Sequence, residues 1–271
     1  MKLSFTTFAC PEWPLEAILA AAGRFNYHGL ELRTDVGHNH GVEAWTNEDE
    51  RKRFRDQFTK ANKEIACIAT SVEFLAEDIM ETARQRIKLA ADVGAKGARF
   101  FIGPLPEPYK SLDELAYRLS PILLELADYA DVLVTDIWLE THDSIARGVD
   151  AARLVRELNH PRVAVCYNNL HPVRCGEPLE VTMAQLNGMI RHVHFHDGLN
   201  KRNQVVITPF GEGQMPMRET LQALIDQGYD GYLSGEWFYD QYGNNINDAL
   251  EQYAGEVREL AGKLGLRIRL E

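Results

Sequence analysis

Short runs of β-branched and aromatic residues alternate along the whole sequence with longer stretches whose apolar residues recur at helical spacing. The short runs fall at 2–8, 29–33, 65–72, 97–102, 132–140, 162–168, 190–197 and 232–237, which predicts eight strands. The stretches between them include Leu15, Ile18, Leu19 and Ala22; Leu112, Leu115, Leu119, Ile122 and Leu126; and Ile246, Leu250, Tyr253, Val257, Leu260 and Leu264. Each can lay one apolar face on a sheet. Ser111 with Glu114 and Thr182 with Gln185 fit capping boxes, Pro216 fits a first helical turn, and Gly94 and Gly228 fit helix C-termini. Eight units over 271 residues are roughly 34 each, the size of a strand plus a crossover helix. The pattern predicts a single-domain (β/α)8 TIM barrel over 1–271. The rival doubly wound sheet would place a glycine-rich turn after its first strand, where this chain reads TFACPEWP.

With 29 Lys plus Arg against 40 Asp plus Glu the net charge is −11, which disfavours a grip on nucleic acid. No run approaches the ~18 apolar residues of a membrane span, and the N-terminal stretch lacks the apolar segment of a signal peptide, so a cytoplasmic protein without a membrane partner is expected. Cys10, Cys67, Cys166 and Cys175 form no CxxC pair and read as reduced, packing residues.

In a barrel the C-terminal ends of the strands converge on one mouth. The later strands end in Glu140 with His142 and Asp143; Asn168 with His171; His194 with His196 and Asp197; and Glu236. Four successive strands thus each deliver a metal-capable side chain. A set of Glu140, Asn168, His194 and Glu236 offers three oxygens and one imidazole, suited to Mn²⁺ first, and to Mg²⁺ or Zn²⁺. His192, His194 and His196 share one strand face, so depth separates them: His192 packed inside, His194 a ligand, His196 against the substrate or behind the ligands. His28, His38, His40 and His160 are expected in solvent. Gly211 and Gly213 could turn backbone N–H groups to an anion or simply make a turn. Among the arginines, Arg33 and Arg202 rank ahead of Arg99 and Arg174 as substrate clamps.

GLELR at 29–33, LETHD at 139–143, CYNNLHP at 166–172, HVHFHD at 192–197, FGEGQMPM at 210–217 and GYDGYLSGEW at 228–237 together resemble the xylose isomerase-like (β/α)8 superfamily, which includes sugar phosphate isomerases and epimerases, dehydratases and apurinic endonucleases. The resemblance implies one divalent metal on Glu140, residue 168, His194 and Glu236, with His171 near the substrate. It also marks two departures. Most relatives carry Asp where this chain has Asn168, and Lys where it has His196. With Asn168 the charge of ligands plus ion rises from −3 + 2 = −1 to −2 + 2 = 0, which predicts weaker binding and a more electrophilic ion.

The leading expectation is a metal-dependent isomerase or epimerase of a sugar, keto-sugar or polyol derivative, working through an enediolate with Glu140 and Glu236 as the proton-transfer pair. His171, His196, Arg33 and Arg202 would contact the substrate. A lyase or dehydratase on the same scaffold is the alternative. A non-catalytic ligand-binding barrel comes next, and an endonuclease last. The partner is a small carbohydrate-like molecule, and self-association stays open.

Overall fold

The computed structural model describes residues 1–105, 111–201, 204–242, 245–266 and 268. Its strands are β1 (Lys2–Thr6), β2 (Gly29–Arg33), β3 (Glu64–Glu73), β4 (Gly97–Phe101), β5 (Asp136–Glu140), β6 (Val163–Asn168), β7 (Ile190–His194), β8 (Gly198–Lys201), β9 (Gln204–Ile207) and β10 (Tyr232–Gly235). The helices are α1 (Leu15–Arg24), α2 (Glu48–Lys60), α3 (Ile79–Val93), α4 (Leu112–Leu133), α5 (Gly148–Leu158), α6 (Leu170–Arg174), α7 (Leu179–Leu186), α8 (Met217–Asp226) and α9 (Ile246–Lys263). Eight parallel strands close into a barrel in the order β1-β10-β7-β6-β5-β4-β3-β2, as the (β/α)8 pattern predicts. The antiparallel pair β8-β9 stands outside it.

Strand alternation explains the two cores. Leu3, Phe5, Leu30, Leu32, Ile137, Leu139, Val163, Val165, Val193 and Leu233 belong to the main core with helix residues such as Ile18, Ile87, Leu126 and Leu250. The opposite face points into the barrel, where Cys67, Trp138, Ala164 and Cys166 form a separate small cluster. Above that cluster the interior is polar: Glu31, Arg99, Glu140, Asn168, His192, His194 and Ser234 are all buried. Barrel interiors are usually filled by branched apolar residues, so this polar layer marks the site.

Several sequence readings change. The run at 132–140 is a strand only from Asp136, because α4 continues to Leu133 and stops on Val134 in the left-handed region at φ 56°. Ser111 caps α4 as expected, accepting from the Glu114 N–H at 3.3 Å. Thr182 caps nothing: it lies inside α7 and its hydroxyl is bound by Glu177. Pro216 sits one residue ahead of α8, whose first residue is Met217. The β8-β9 hairpin is an addition to the expected pattern, while Gly94 ends α3 in the left-handed region at φ 83°, as its fit to a helix C-terminus predicts. His40 is buried rather than solvated, with its ring between the Arg33 carbonyl and the Val42 N–H. All four cysteines are free; Cys175 is exposed and the other three are buried. No helix among the described residues is long and apolar enough to cross a membrane.

Candidate active site

β5, β6, β7 and β10 bring Glu140, Asn168, His194 and Glu236 together at the C-terminal mouth of the barrel. His194 Nδ1 lies 3.3 Å from Glu140 Oε1 and 3.2 Å from Glu236 Oε2. One atom from each of these three residues falls within 4.8 Å of the others. Arg99 on β4 completes the cluster, its Nε 3.1 Å from Glu140 Oε2.

Burial opposes charge on both acids, yet His194 and Arg99 hold the Glu140 carboxyl well below the usual range, and His194 lowers Glu236. Burial likewise opposes a cationic His194, and the surrounding carboxylates outweigh it. Two carboxylate oxygens and an imidazole nitrogen thus crowd one point, and Glu140 Oε2 is buried without a hydrogen-bond donor. This donor set fits a hard or borderline divalent cation.

Asn168 enters the cluster amide-first. Its Nδ2 donates to Glu140 Oε1 at 2.9 Å and to Glu236 Oε2 at 3.2 Å. Its Oδ1 accepts from the Leu170 N–H at 3.1 Å and lies 3.1 Å from His196 Nε2. The reverse orientation would turn Oδ1 to the two carboxylates, which is repulsive unless a cation lies between them.

Phe8, Phe101, Leu170, Val205, Ile207 and Phe238 wall a cavity of about 290 Å³ over this cluster, and His142, His171, Arg174 and His196 also face it. The β8-β9 hairpin thus supplies part of the wall. Burial and the neighbouring His142 push His171 down to about 3, leaving it neutral, and the two rings meet edge to face at 4.3 Å. His142 goes the other way: burial opposes its charge, but Asp143, 2.9 Å away, and Glu140 raise it. A larger groove of 500 Å³ between α1 and α2 carries Glu16, Arg53, Asp56 and Lys60 without such convergence.

The other candidates separate. His171 and His196 border the cavity. Arg33 sits on the Phe8 ring at 5.1 Å, its guanidinium bonded to the Thr34 and Ala69 carbonyls and to Ser71. Arg202 lies outside the described residues. His192 is packed inside, stacked on Trp138 at 5.4 Å. The anion at Gly211 and Gly213 is the chain's own: Asp197 accepts from Gly198, Gly211, Gly213 and Met215 N–H groups at 2.8–3.1 Å. Gly213 is needed because a Cβ there would strike Asp197. Sequence reading passed over Glu31 and undervalued Arg99; the signal was a charged residue at the inward position of an otherwise apolar strand.

The family described as xylose isomerase-like TIM barrel matches residues 19–261. Fructoselysine 3-epimerase of Escherichia coli O157:H7 is 29% identical over 124 residues, 44% of this chain and 44% of that protein. The chain therefore matches less than half the length of this relative. Among solved structures, the zinc-bound IOLI protein superposes with TM-score 0.82 at 19% identity over 97% of this chain and 99% of that one. D-psicose 3-epimerase, solved in the presence of D-fructose, gives 0.78 at 13% identity over 98% and 100%. The probable 3-DHS dehydratase AsbF of Bacillus anthracis gives 0.75 at 21% identity over 95% and 98%.

Proposed function

Because the chain belongs to the xylose isomerase-like TIM barrel family, we propose that it is a divalent-metal-dependent isomerase or epimerase of a keto-sugar or polyol derivative. The observation that carries this reading is the pairing of Glu140 and Glu236 around His194 at the floor of the cavity. The named activity of the fructoselysine epimerase supports the same class.

Glu140, His194 and Glu236, joined by Asn168 with its amide reversed, would hold the ion, Mn²⁺ foremost. When bound, that ion supplies a Lewis acid for the substrate's oxygens. The chain's own residues handle the proton. One of Glu140 and Glu236 removes the proton α to the substrate carbonyl and becomes a carboxylic acid; the other, ionised at the outset, returns a proton to the enediolate after drawing one from solvent. Both carboxyls are held below their usual range, so a base is ready at neutral pH. Arg99 keeps Glu140 ionised and fixed, and the Phe8, Phe101 and Phe238 rings supply apolar wall beside the carboxylates. Neutral His171 and His196 are placed to bind substrate hydroxyls. The enzyme would be cytoplasmic and need neither nucleic acid nor membrane.

The test is deuterium uptake from D₂O into a panel of keto-sugars with Mn²⁺, read by mass spectrometry together with epimer formation. Glu140→Gln and Glu236→Gln are each expected to lower uptake by a factor on the order of 100 or more. Full turnover in both variants would sink the assignment. The lyase reading draws on His142, whose raised protonation at the cavity could serve a leaving hydroxyl; a product lighter by one water would select it.

A further inference from the structure

Glu31, on β2, faces three donors across the barrel. Its Oε1 lies 2.9 Å from His194 Nε2; its Oε2 lies 2.8 Å from His192 Nε2 and 2.7 Å from Ser234 Oγ. β2 and β7 are not neighbours in the barrel, so these bonds cross its interior. Glu31, His192, His194 and Ser234 are all fully buried.

An ionised carboxylate only accepts, so the nitrogen of His194 that faces Glu31 must carry the hydrogen. That leaves Nδ1 as the atom turned to Glu140 and Glu236. The group Glu31, His192 and His194 has the residue types of a second metal site. Its geometry argues otherwise, because both ring nitrogens that point at Glu31 present N–H bonds, and the Ser234 hydroxyl shares Oε2 with one of them.

We propose that Glu31 is a positioning residue that holds an N–H on His194 Nε2 and so aims Nδ1 at the Glu140–Glu236 centre, as the nitrogen from which a binding ion displaces the proton. This deepens the metal-dependent reading above and rests on it only for the ion. A carboxylate behind a ligating histidine fixes both its tautomer and its ring orientation, and losing such a partner typically lowers metal affinity by about 10–100-fold. Gln at this position accepts through one oxygen, and its NH₂ confronts at least one of the three donors.

The experiment combines ¹⁵N NMR of histidine-labelled protein, free and loaded with diamagnetic Zn²⁺, with Zn²⁺ titration calorimetry. Wild type is expected to keep a downfield Nε2–H on His194 in both states, with Zn²⁺ on Nδ1. Glu31→Gln is expected to lose or shift that resonance and to bind Zn²⁺ about 10–100-fold more weakly. Ser234→Ala removes another bond to the same carboxylate; a purely structural role for Glu31 predicts equal losses in the two variants, whereas positioning predicts that Ser234→Ala keeps the Nε2–H and most of the affinity. Zn²⁺ on Nε2, a wild-type ring protonated on Nδ1 alone, equal losses, or a folded Glu31→Gln with unchanged spectrum and affinity would each overturn the proposal. Should Glu31→Gln not fold, the wild-type spectra still decide. Should wild type bind no ion, the metal-dependent reading fails separately, and the metal-free spectrum still reports on Glu31.

Discussion

Asn168 is held in place by bonds that work against the role its position suggests. Its Oδ1 is pinned outward by the Leu170 N–H, and its NH₂ bridges the two glutamates. Yet His196 Nδ1 lies 2.6 Å from the Glu236 carbonyl, so a neutral ring donates there and turns a bare Nε2 to the Asn168 oxygen. The reverse amide would satisfy His196 and offer an oxygen to an ion, at the expense of the Leu170 bond. Asn168→Asp removes the bridging donor and adds a third carboxylate. Without an ion it should lower stability by about 1–3 kcal/mol; with Mn²⁺ it should bind at least about tenfold more tightly. Thermal denaturation with and without Mn²⁺ checks both: the ion should raise the melting temperature more in the variant than in wild type, and equal shifts would refute the prediction. At this scale the sequence identified which residues meet, because strand ends converge. It could not show which end of an amide faces inward, since that depends on Leu170 and His196 together.

Among elements, the segment after β7 depends on one side chain. Asp197 gathers four backbone N–H groups from Gly198, Gly211, Gly213 and Met215 and thereby ties the segment around the β8-β9 hairpin back to the barrel rim. Asp197 is buried, and its loss would strand the buried Gly198 and Met215 N–H groups away from water. Asp197→Ala should therefore destabilise by at least about 2 kcal/mol, while Glu212→Ala, at an exposed position in the same segment, stays within about 0.5 kcal/mol. Urea unfolding of the two variants compares them directly; similar midpoints would show that the bonds matter little. This device was half legible. The Gly-x-Gly spacing allows backbone N–H groups meeting an anion as one reading beside a plain turn, but the anion lies fourteen residues earlier at Asp197, and periodicity does not report such pairings. The end of α4 was hidden for a related reason: Val132 and Val134 favour strand by type, and only the left-handed turn at Val134 stops the helix.

For the molecule as a whole, the polar barrel interior and the loop after β2 make stability depend on pH. His40 accepts the Val42 N–H on Nδ1 and donates to the Arg33 carbonyl from Nε2, an arrangement that only a neutral ring can make. Burial first, and His38 next, push it from 6.5 down to about 4 despite the Arg33 carbonyl. The unfolded chain therefore takes up this proton at higher pH than the folded one, and stability falls as pH drops from 6.5 towards 4. His171, lowered to about 3, acts in the same direction. Glu31 and Glu140, held well below 4.5, add their losses only at lower pH, once the unfolded carboxyls begin to protonate. The raised His194 acts above 6.5, where its contribution fades as pH rises through its folded value. Between pH 6.5 and 4.5 the lowered histidines thus dominate, and His40 alone accounts for about 2 kcal/mol. Unfolding free energies from urea titrations at these two pH values should differ by less in His40→Gln than in wild type, by about that amount. Parallel pH profiles would refute this, showing that the loop after β2 opens locally to let His40 take up its proton before the barrel unfolds.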